Sequence, residues 1–283
     1  SGEMEMLVEE LLEATSAERL SAIAARYKRD YAENAPFPHI AIDGIFPRRF
    51  LLKVVAEHPE SLVVDGCMSD NCKFNRNTHH KSSIHDEMDM GTYTRLLLHV
   101  MKSSPFVSFL EELSSISNIV PDPHFFGSGL HFTDGRGGKL DVHADFNRLR
   151  PYKLDRRVNT FIFLNEDWDE SYGGHLELWS ADMASCMQRI PPAMGRFVVF
   201  STTDFSYHGH PEPMTAPVGR VRRSIALYYY SNGRPDRECL GGDCSGNNHS
   251  TLYKKPVGCK RCIEDTCRRF DEKKAVPFFD SAA

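Results

Sequence analysis

No run of the chain approaches the roughly 18 apolar residues that a membrane-spanning helix needs. Its start, SGEMEMLVEELLEA, is too acidic and too poor in apolar residues for a secretory signal. Neither a membrane partner nor export is therefore expected, and the expected location is cytoplasmic. A basic excess is missing as well. The 34 Lys and Arg stand against 39 Asp and Glu, a formal charge of −5, which argues against a nucleic-acid partner bound by bulk positive charge. Tryptophan is scarce: only Trp168 and Trp179 occur in 283 residues, and both read as core anchors, because large aromatics mostly pack. No internal repeat and no low-complexity segment is visible. A single large core is well within range for this length.

What the chain does contain is a spaced set of metal-ligating side chains. His143 and Asp145 stand two apart in GGKLDVHADFN, and His208 follows about 63 residues later in FSYHGHP. A strand alternates its side chains, so His143 and Asp145 face the same way, and His208 can close the set from another strand. Two imidazoles and one carboxylate on one face of a divalent metal form the facial triad of non-haem Fe(II) sites, with positions left open for a cosubstrate and dioxygen. The same donors suit Fe(II) better than the soft thiolate sites of copper. His210 competes with His208 for the third position. Asn147 shares the strand face and either reaches the site or ends the strand in a turn. His79, His80 and His85 have no carboxylate partner at a ligand spacing.

A second constellation lies in RVRRSIALYYYS at 220–231, which is β-branched and aromatic enough to be a strand. Alternation puts Arg222, Ser224 and Ala226 on one face, with Tyr228 and Tyr230, and Arg223, Ile225 and Leu227 on the other. A guanidinium beside a hydroxyl clamps a carboxylate well, because the planar fork takes it bidentately. Open positions on Fe(II) together with a carboxylate clamp describe 2-oxoglutarate binding. Gly173 and Gly174 read as a turn that lets the chain pass close to a neighbouring strand.

With these motifs in place, residues from about Pro36 to Arg234 resemble the prolyl-hydroxylase-like branch of the Fe(II)/2-oxoglutarate dioxygenases. The resemblance rests on HADFN at 143–147, TFIFLNEDWDESYGGHLELW at 160–179, GRFVVFSTTDFSYHGHP at 195–211 and RVRRSIALYYYS at 220–231. It implies a double-stranded β-helix fold and Fe(II) held by His143, Asp145 and His208. It also implies 2-oxoglutarate held by Arg222, dioxygen as the oxidant, and ascorbate as an accessory reductant. The implied reaction is hydroxylation of an unactivated C–H bond. Two departures stand out. Phe163 occupies a place where the family often has a cosubstrate-binding Tyr, and the interval from His208 to Arg222 is longer than usual, which keeps Arg220 and Arg223 as alternatives to Arg222. Three function classes follow: a hydroxylase of a prolyl or other residue in a protein or peptide, a hydroxylase or halogenase of a free amino acid or other small molecule, and a non-catalytic jelly-roll binding module. Asp145 speaks against the halogenase, which usually replaces the acidic ligand with a small residue.

Periodicity predicts two helices over 3–28 with Ser16 as an N-cap, a strand in 36–46, a helix over 47–59 with Pro47 in its first turn, and helices over 90–118. Residues 65–85 are polar and without an apolar period, and read as a long loop able to act as a substrate flap. Strands dominate from about Phe125. Helices first and strands afterwards predict an α+β, β-dominated jelly roll with helices on one face of the sandwich. The expected organisation is 1–118 for helices, first strand and loop, 119–235 for the jelly-roll catalytic core, and 236–283 for a Cys-rich basic tail. Without export, the eight cysteines are expected as thiols or metal ligands rather than disulfides. Cys239, Cys244, Cys259, Cys262 and Cys267 crowd the tail. The 259–262 pair has a zinc-like separation, but the interval from 239 to 244 fits no common zinc template. Structural zinc, free thiols and disulfides all stay open there.

Overall fold

Two amphipathic helices open the chain in the structure, a computed structural model that describes residues 2–58, 78–79, 81–256 and 268–269. Helix α1 (Gly2–Ala14) buries Leu7, Leu11 and Ala14. Helix α2 (Ala17–Glu33) starts at Ser16, whose side chain accepts from the Arg19 amide, and buries Leu20, Ile23, Ala24, Tyr27 and Tyr31 along one stripe. In α3 (Arg48–Ala56), Pro47 sits at the N-cap rather than inside the first turn. Helix α4 (Thr92–Met101) has no capping side chain of its own. Glu57 supplies one from the end of α3, accepting from the Tyr93 and Thr94 amides at 2.8 and 2.9 Å, so a carboxylate meets the unpaired donors of a helix start. Helix α5 (Ser104–Ser114) completes the layer.

The strands are β1 (His39–Ile42), β2 (Thr78–His79), β3 (Lys81–Ile84), β4 (Val120–Pro121), β5 (Gly129–Asp134), β6 (Lys139–Ala144), β7 (Arg148–Leu149) and β8 (Leu154–Phe163). After them come β9 (Leu176–Trp179), β10 (Cys186–Ile190), β11 (Phe197–Ser201), β12 (His208–His210), β13 (Val221–Ser231), β14 (Leu252–Tyr253) and β15 (Arg268–Arg269). They form a larger sheet in the order β1-β11-β8-β13-β5-β3 and a smaller one in the order β14-β6-β12-β9-β10-β15, with β4, β7 and β2 attached at their sides. Pairing is antiparallel except between β10 and β15. The result is the expected α+β jelly roll, with the helices on the outer face of the larger sheet.

Strand β13 shows how the sequence sorts the two faces. Ile225, Leu227 and Tyr229 join the core against the helices, where the Tyr229 hydroxyl donates to the Met101 carbonyl at 2.7 Å. Ala226, Tyr228 and Tyr230 pack on the opposite face, between the sheets. A separate inter-sheet cluster of Phe163, Leu176, Leu178, Val198 and Phe200 holds the sandwich together. Trp179 is buried in a further cluster with Val142 and Tyr207, as a core anchor should be.

Two readings of local structure need correction. Residues 81–84 are not loop: β3 pairs with β5 from Lys81 opposite Thr133 to Ile84 opposite Leu130. Their inward side faces a polar cavity, so the strand carries no apolar alternation to betray it. Residues 65–77 and 80 of the expected flap lie outside the described residues. Strands enter the sheets from all three segments, with β1 and β3 from the first and β14 from the tail. Finally, Cys239 and Cys244 are joined in a disulfide, Cα atoms 5.3 Å apart across the turns that follow Pro235. So bonded, they offer no thiolate to zinc. Cys259, Cys262 and Cys267 lie outside the described residues.

Candidate metal and anion site

The turn between β5 and β6, and the pairing of β6 with β12, set the metal-ligating side chains. His208 lies directly opposite His143 in the ladder, so the two imidazoles project side by side, ring centroids 4.6 Å apart. Asp145 follows one residue after the end of β6 and still points the same way. Its carboxylate lies 3.6 Å from His143 Nε2 and 3.5 Å from His208 Nε2. One donor atom from each of the three lies within 4.8 Å of the others, and theirs is the only such grouping among the described residues.

Backbone carbonyls fix the tautomers. His143 Nδ1 meets the Asp141 carbonyl at 2.8 Å and His208 Nδ1 meets the Ser206 carbonyl at 2.9 Å. A carbonyl only accepts, so each Nδ1 donates, and each Nε2 is the ring atom turned toward Asp145. Burial pushes the His208 pKa down to about 4, against the pull of Asp145, so the ring is neutral at physiological pH. Burial works against the charge on Asp145, yet its partners, the Arg156 guanidinium beside it foremost, outweigh burial and hold that carboxyl well below its usual range. Neutral imidazoles and an ionised carboxylate are the protonation states that a divalent metal of Fe(II) type requires. The residues present fit that ion.

One oxygen of Asp145, Oδ2, is gripped by two side chains that sequence reasoning missed. Asn159 donates to it at 2.7 Å and the Arg156 guanidinium lies 3.1 Å away. Arg156 is itself fully buried, stacked 3.4 Å over the Tyr228 ring and bonded to the Asn159 side-chain oxygen at 2.7 Å. Both stand on β8 just before the TFIFLN block. Three apart, they would face opposite ways by strict alternation; the register shift opposite Tyr229 and Tyr230 brings both inward, so the spacing carried no signal.

Behind the triad opens a cavity of about 430 Å³, lined by Arg222, Ser224, His131, His210, Phe163 and Leu176 among others. Strand parity places Arg222 inside it and Arg223 on the opposite face, half-buried toward His58 rather than in solvent. Arg220 instead donates to the Glu166 and Asp167 carbonyls at the end of the turn. Arg222 Nε donates to the Gly174 carbonyl at 2.7 Å and its guanidinium lies 4.9 Å over the Phe163 ring. Gly174 has φ of +71°, and a Cβ there would run into Met214 and the Arg222 side chain, so glycine is required for this approach. Burial, with no carboxylate beside it, pushes the Arg222 pKa down to about 9.

The remaining sequence candidates separate cleanly. His210 lines the cavity but stands apart from the ligand grouping, its Nδ1 buried without a partner among the described residues. Asn147 does not reach the site. It donates to the Asn247 carbonyl at 2.6 Å and accepts from the His249 amide, tying the tail to the end of β6. Trp168 lies near the surface, under Arg220, bonded to the Gly173 carbonyl. His85 takes no part, while Tyr253 of β14 contacts His143 at 5.4 Å between centroids and forms one wall.

Against known proteins, residues 128–230 match the model of the family described as the 2OG-Fe(II) oxygenase superfamily. That span holds His143, Asp145, His208 and Arg222. No curated protein matches the chain significantly. Among solved structures, it is similar to a prolyl hydroxylase from Trichoplax adhaerens in complex with a hypoxia inducible factor peptide fragment. There the identity is 18%, covering 76% of this chain and 91% of that one, with a TM-score of 0.52. It also resembles a Pseudomonas putida prolyl-4-hydroxylase (18% identity, 74% and 100% covered, TM-score 0.45). A third match is a prolyl 4-hydroxylase from Phytophthora capsici (15% identity, 81% and 68% covered, TM-score 0.46).

Proposed function

We propose that this chain is a 2-oxoglutarate- and Fe(II)-dependent dioxygenase of the prolyl-hydroxylase-like branch that hydroxylates an unactivated C–H bond on a prolyl or other residue of a protein or peptide. The observation that carries the reading is one cavity with the His143–Asp145–His208 grouping at one end and the buried, anion-free Arg222 at the other. Fe(II), when bound, supplies the redox chemistry by which 2-oxoglutarate becomes succinate and carbon dioxide while one oxygen atom enters the C–H bond.

The chain's own residues do the rest. His143, Asp145 and His208 hold the metal on one side, and Arg156 with Asn159 keeps the Asp145 carboxylate aimed. Arg222 and Ser224 take the distal carboxylate of 2-oxoglutarate, with the guanidinium steadied by the Gly174 carbonyl. Phe161, Phe163 and Leu176 line the wall and keep water away from the reacting centre. The rim favours a chain substrate over a small molecule enclosed on all sides. Phe126 is 58% exposed and packs edge-on against Phe146, both bordering the cavity, an aromatic ledge suited to a side chain entering from outside. The peptide bound by the Trichoplax protein is in keeping with that reading.

Mass spectrometry of candidate peptides and metabolites incubated with protein, Fe(II), ascorbate and 2-oxoglutarate tests the proposal. Gain of one oxygen on a peptide residue is expected. Oxygen gained only on free small molecules would overturn the peptide assignment.

A further inference from the structure

Three adjacent strands of the larger sheet bring a second cation to the anion end of the cavity. In the ladder Arg222 of β13 lies opposite Thr133 of β5, and Thr133 lies opposite Lys81 of β3. Residues directly opposite across a ladder share a face, so Lys81, Thr133 and Arg222 form one inward row. Neighbouring strands are about 4.8 Å apart, which separates the Lys81 and Arg222 backbones by only about 10 Å. Both side chains are long enough to meet over buried Thr133, and both line the cavity.

Apart from Asp145, which draws on Lys81, their described surroundings hold no compensating charge. Asp145 is the sole carboxylate among the described cavity-lining residues, and Arg156 is already paired with it. Neither Lys81 nor Arg222 has an ion-pair partner among the described residues. The next inward row offers Ser83, His131, Ser224 and Phe163, of which Phe163 donates nothing to a carboxylate. Burial, reinforced by Arg222, pushes the Lys81 pKa down to about 8. Two cations facing one another in a half-enclosed space repel unless an anion separates them.

We propose that Lys81 is a second carboxylate-binding residue of the cavity, acting with Arg222 on the distal carboxylate of 2-oxoglutarate. This rests on the reading of Arg222 given above and extends it to β3, the strand that leads out of the 59–80 segment. Cosubstrate binding thereby ties that edge strand to the site.

The test is calorimetric titration, without oxygen, of Mn(II)-loaded protein with 2-oxoglutarate and with 2-oxopentanoate, which keeps the chelating end but lacks the distal carboxylate. Lys81→Met should weaken 2-oxoglutarate binding about tenfold or more, the size of a lost charge-assisted contact. It should leave 2-oxopentanoate affinity unchanged, and Lys81→Arg should restore most of the loss. Equal affinities of wild type and Lys81→Met for 2-oxoglutarate, or an equal loss for both ligands, would overturn the proposal. Arg222→Met run in parallel separates the two assignments. Normal 2-oxoglutarate binding in Arg222→Met would overturn the Arg222 reading, whereas a loss there with none in Lys81→Met overturns only the role of Lys81.

Discussion

The two ends of the cavity are built in opposite ways. At the metal end a carboxylate is met from every side: Asp145 has Arg156 and Asn159 on one oxygen and two imidazoles close by, each fixed by a backbone carbonyl. At the other end Arg222 and Lys81 share a row with no anion between them, and Arg222 reaches only a glycine carbonyl and a phenyl face. The first end is assembled before anything binds. On the proposed reading the second is completed by its ligand, and its electrostatic deficit would become binding energy for a dicarboxylate.

The sharpest way to break this contrast is to remove one charge from each end and compare the stability of the metal-free protein. Asp145→Ala strands a fully buried guanidinium and should cost about 3–5 kcal/mol, read as a lowered denaturant midpoint. Arg222→Met removes a buried cation that nothing compensates, and should leave the midpoint unchanged or raise it. Equal destabilisation by both would mean that the ends are not different in kind.

Ligand affinity sharpens the same comparison. Arg222→Ala should cost roughly 2–5 kcal/mol of 2-oxoglutarate binding, a loss of one to three orders of magnitude at about 1.4 kcal/mol per tenfold. Arg223→Ala, on the helix-facing side of β13, should change it by less than a factor of about five, the range of a partly exposed charge. A smaller effect is expected at the support for Arg222. Gly174→Ala places a Cβ at φ of +71° against Met214 and Arg222, and should cost about 1–2 kcal/mol of stability together with a measurable loss of 2-oxoglutarate affinity by calorimetry.

The smallest effect is a pH dependence at the tail that walls the metal end. The Asp204 carboxylate accepts from His249, Arg234 and the Leu240 amide. Burial opposes its charge, but these partners bring its pKa down to about 2. The His249 pKa is raised despite burial, chiefly by the hydrogen bond to Asp204. A raised histidine pKa contributes stability that is complete below its unfolded value of about 6.5 and is lost as pH climbs through the folded one. A lowered carboxylate pKa contributes stability present above about 3.9 and lost as pH falls through the folded one. The tail should therefore dock most firmly between about pH 4 and pH 6.5, and amide exchange of residues 240–253 should slow in that window. Uniform protection from pH 4 to pH 8 would remove the histidine from the account.

Much of the site was legible because its chemistry obeys strand parity. The spacing of His143 and Asp145 and the alternation in RVRRS assign faces without any structure, and β13 follows that alternation from Arg222 to Tyr229. His208 and His210 were harder to separate, because β12 is short and its register shifts between them, so two-residue spacing alone could not choose. Lys81 was hidden for a different reason. A polar edge strand that lines a polar cavity has no hydrophobic pattern, and KSSI looks like loop. Arg156 and Asn159 escaped because their role is fixed by a partner 11 and 14 residues away, just past the end of β6. The tail misled through its cysteines: an inference about compartment argued for thiols, and the turns after Pro235 bring Cys239 and Cys244 together locally.

If the His143–Asp145–His208 grouping supports 2-oxoglutarate-dependent oxidation, turnover must need both iron and all three side chains. Succinate released from 2-oxoglutarate under oxygen tests it most directly, followed with Fe(II) added or chelated, in wild type and in His143→Ala, Asp145→Ala and His208→Ala. Iron-dependent succinate formation by the wild type and background levels in all three variants are the expected result. Succinate formed at the wild-type rate by His208→Ala, or without iron, would contradict the account.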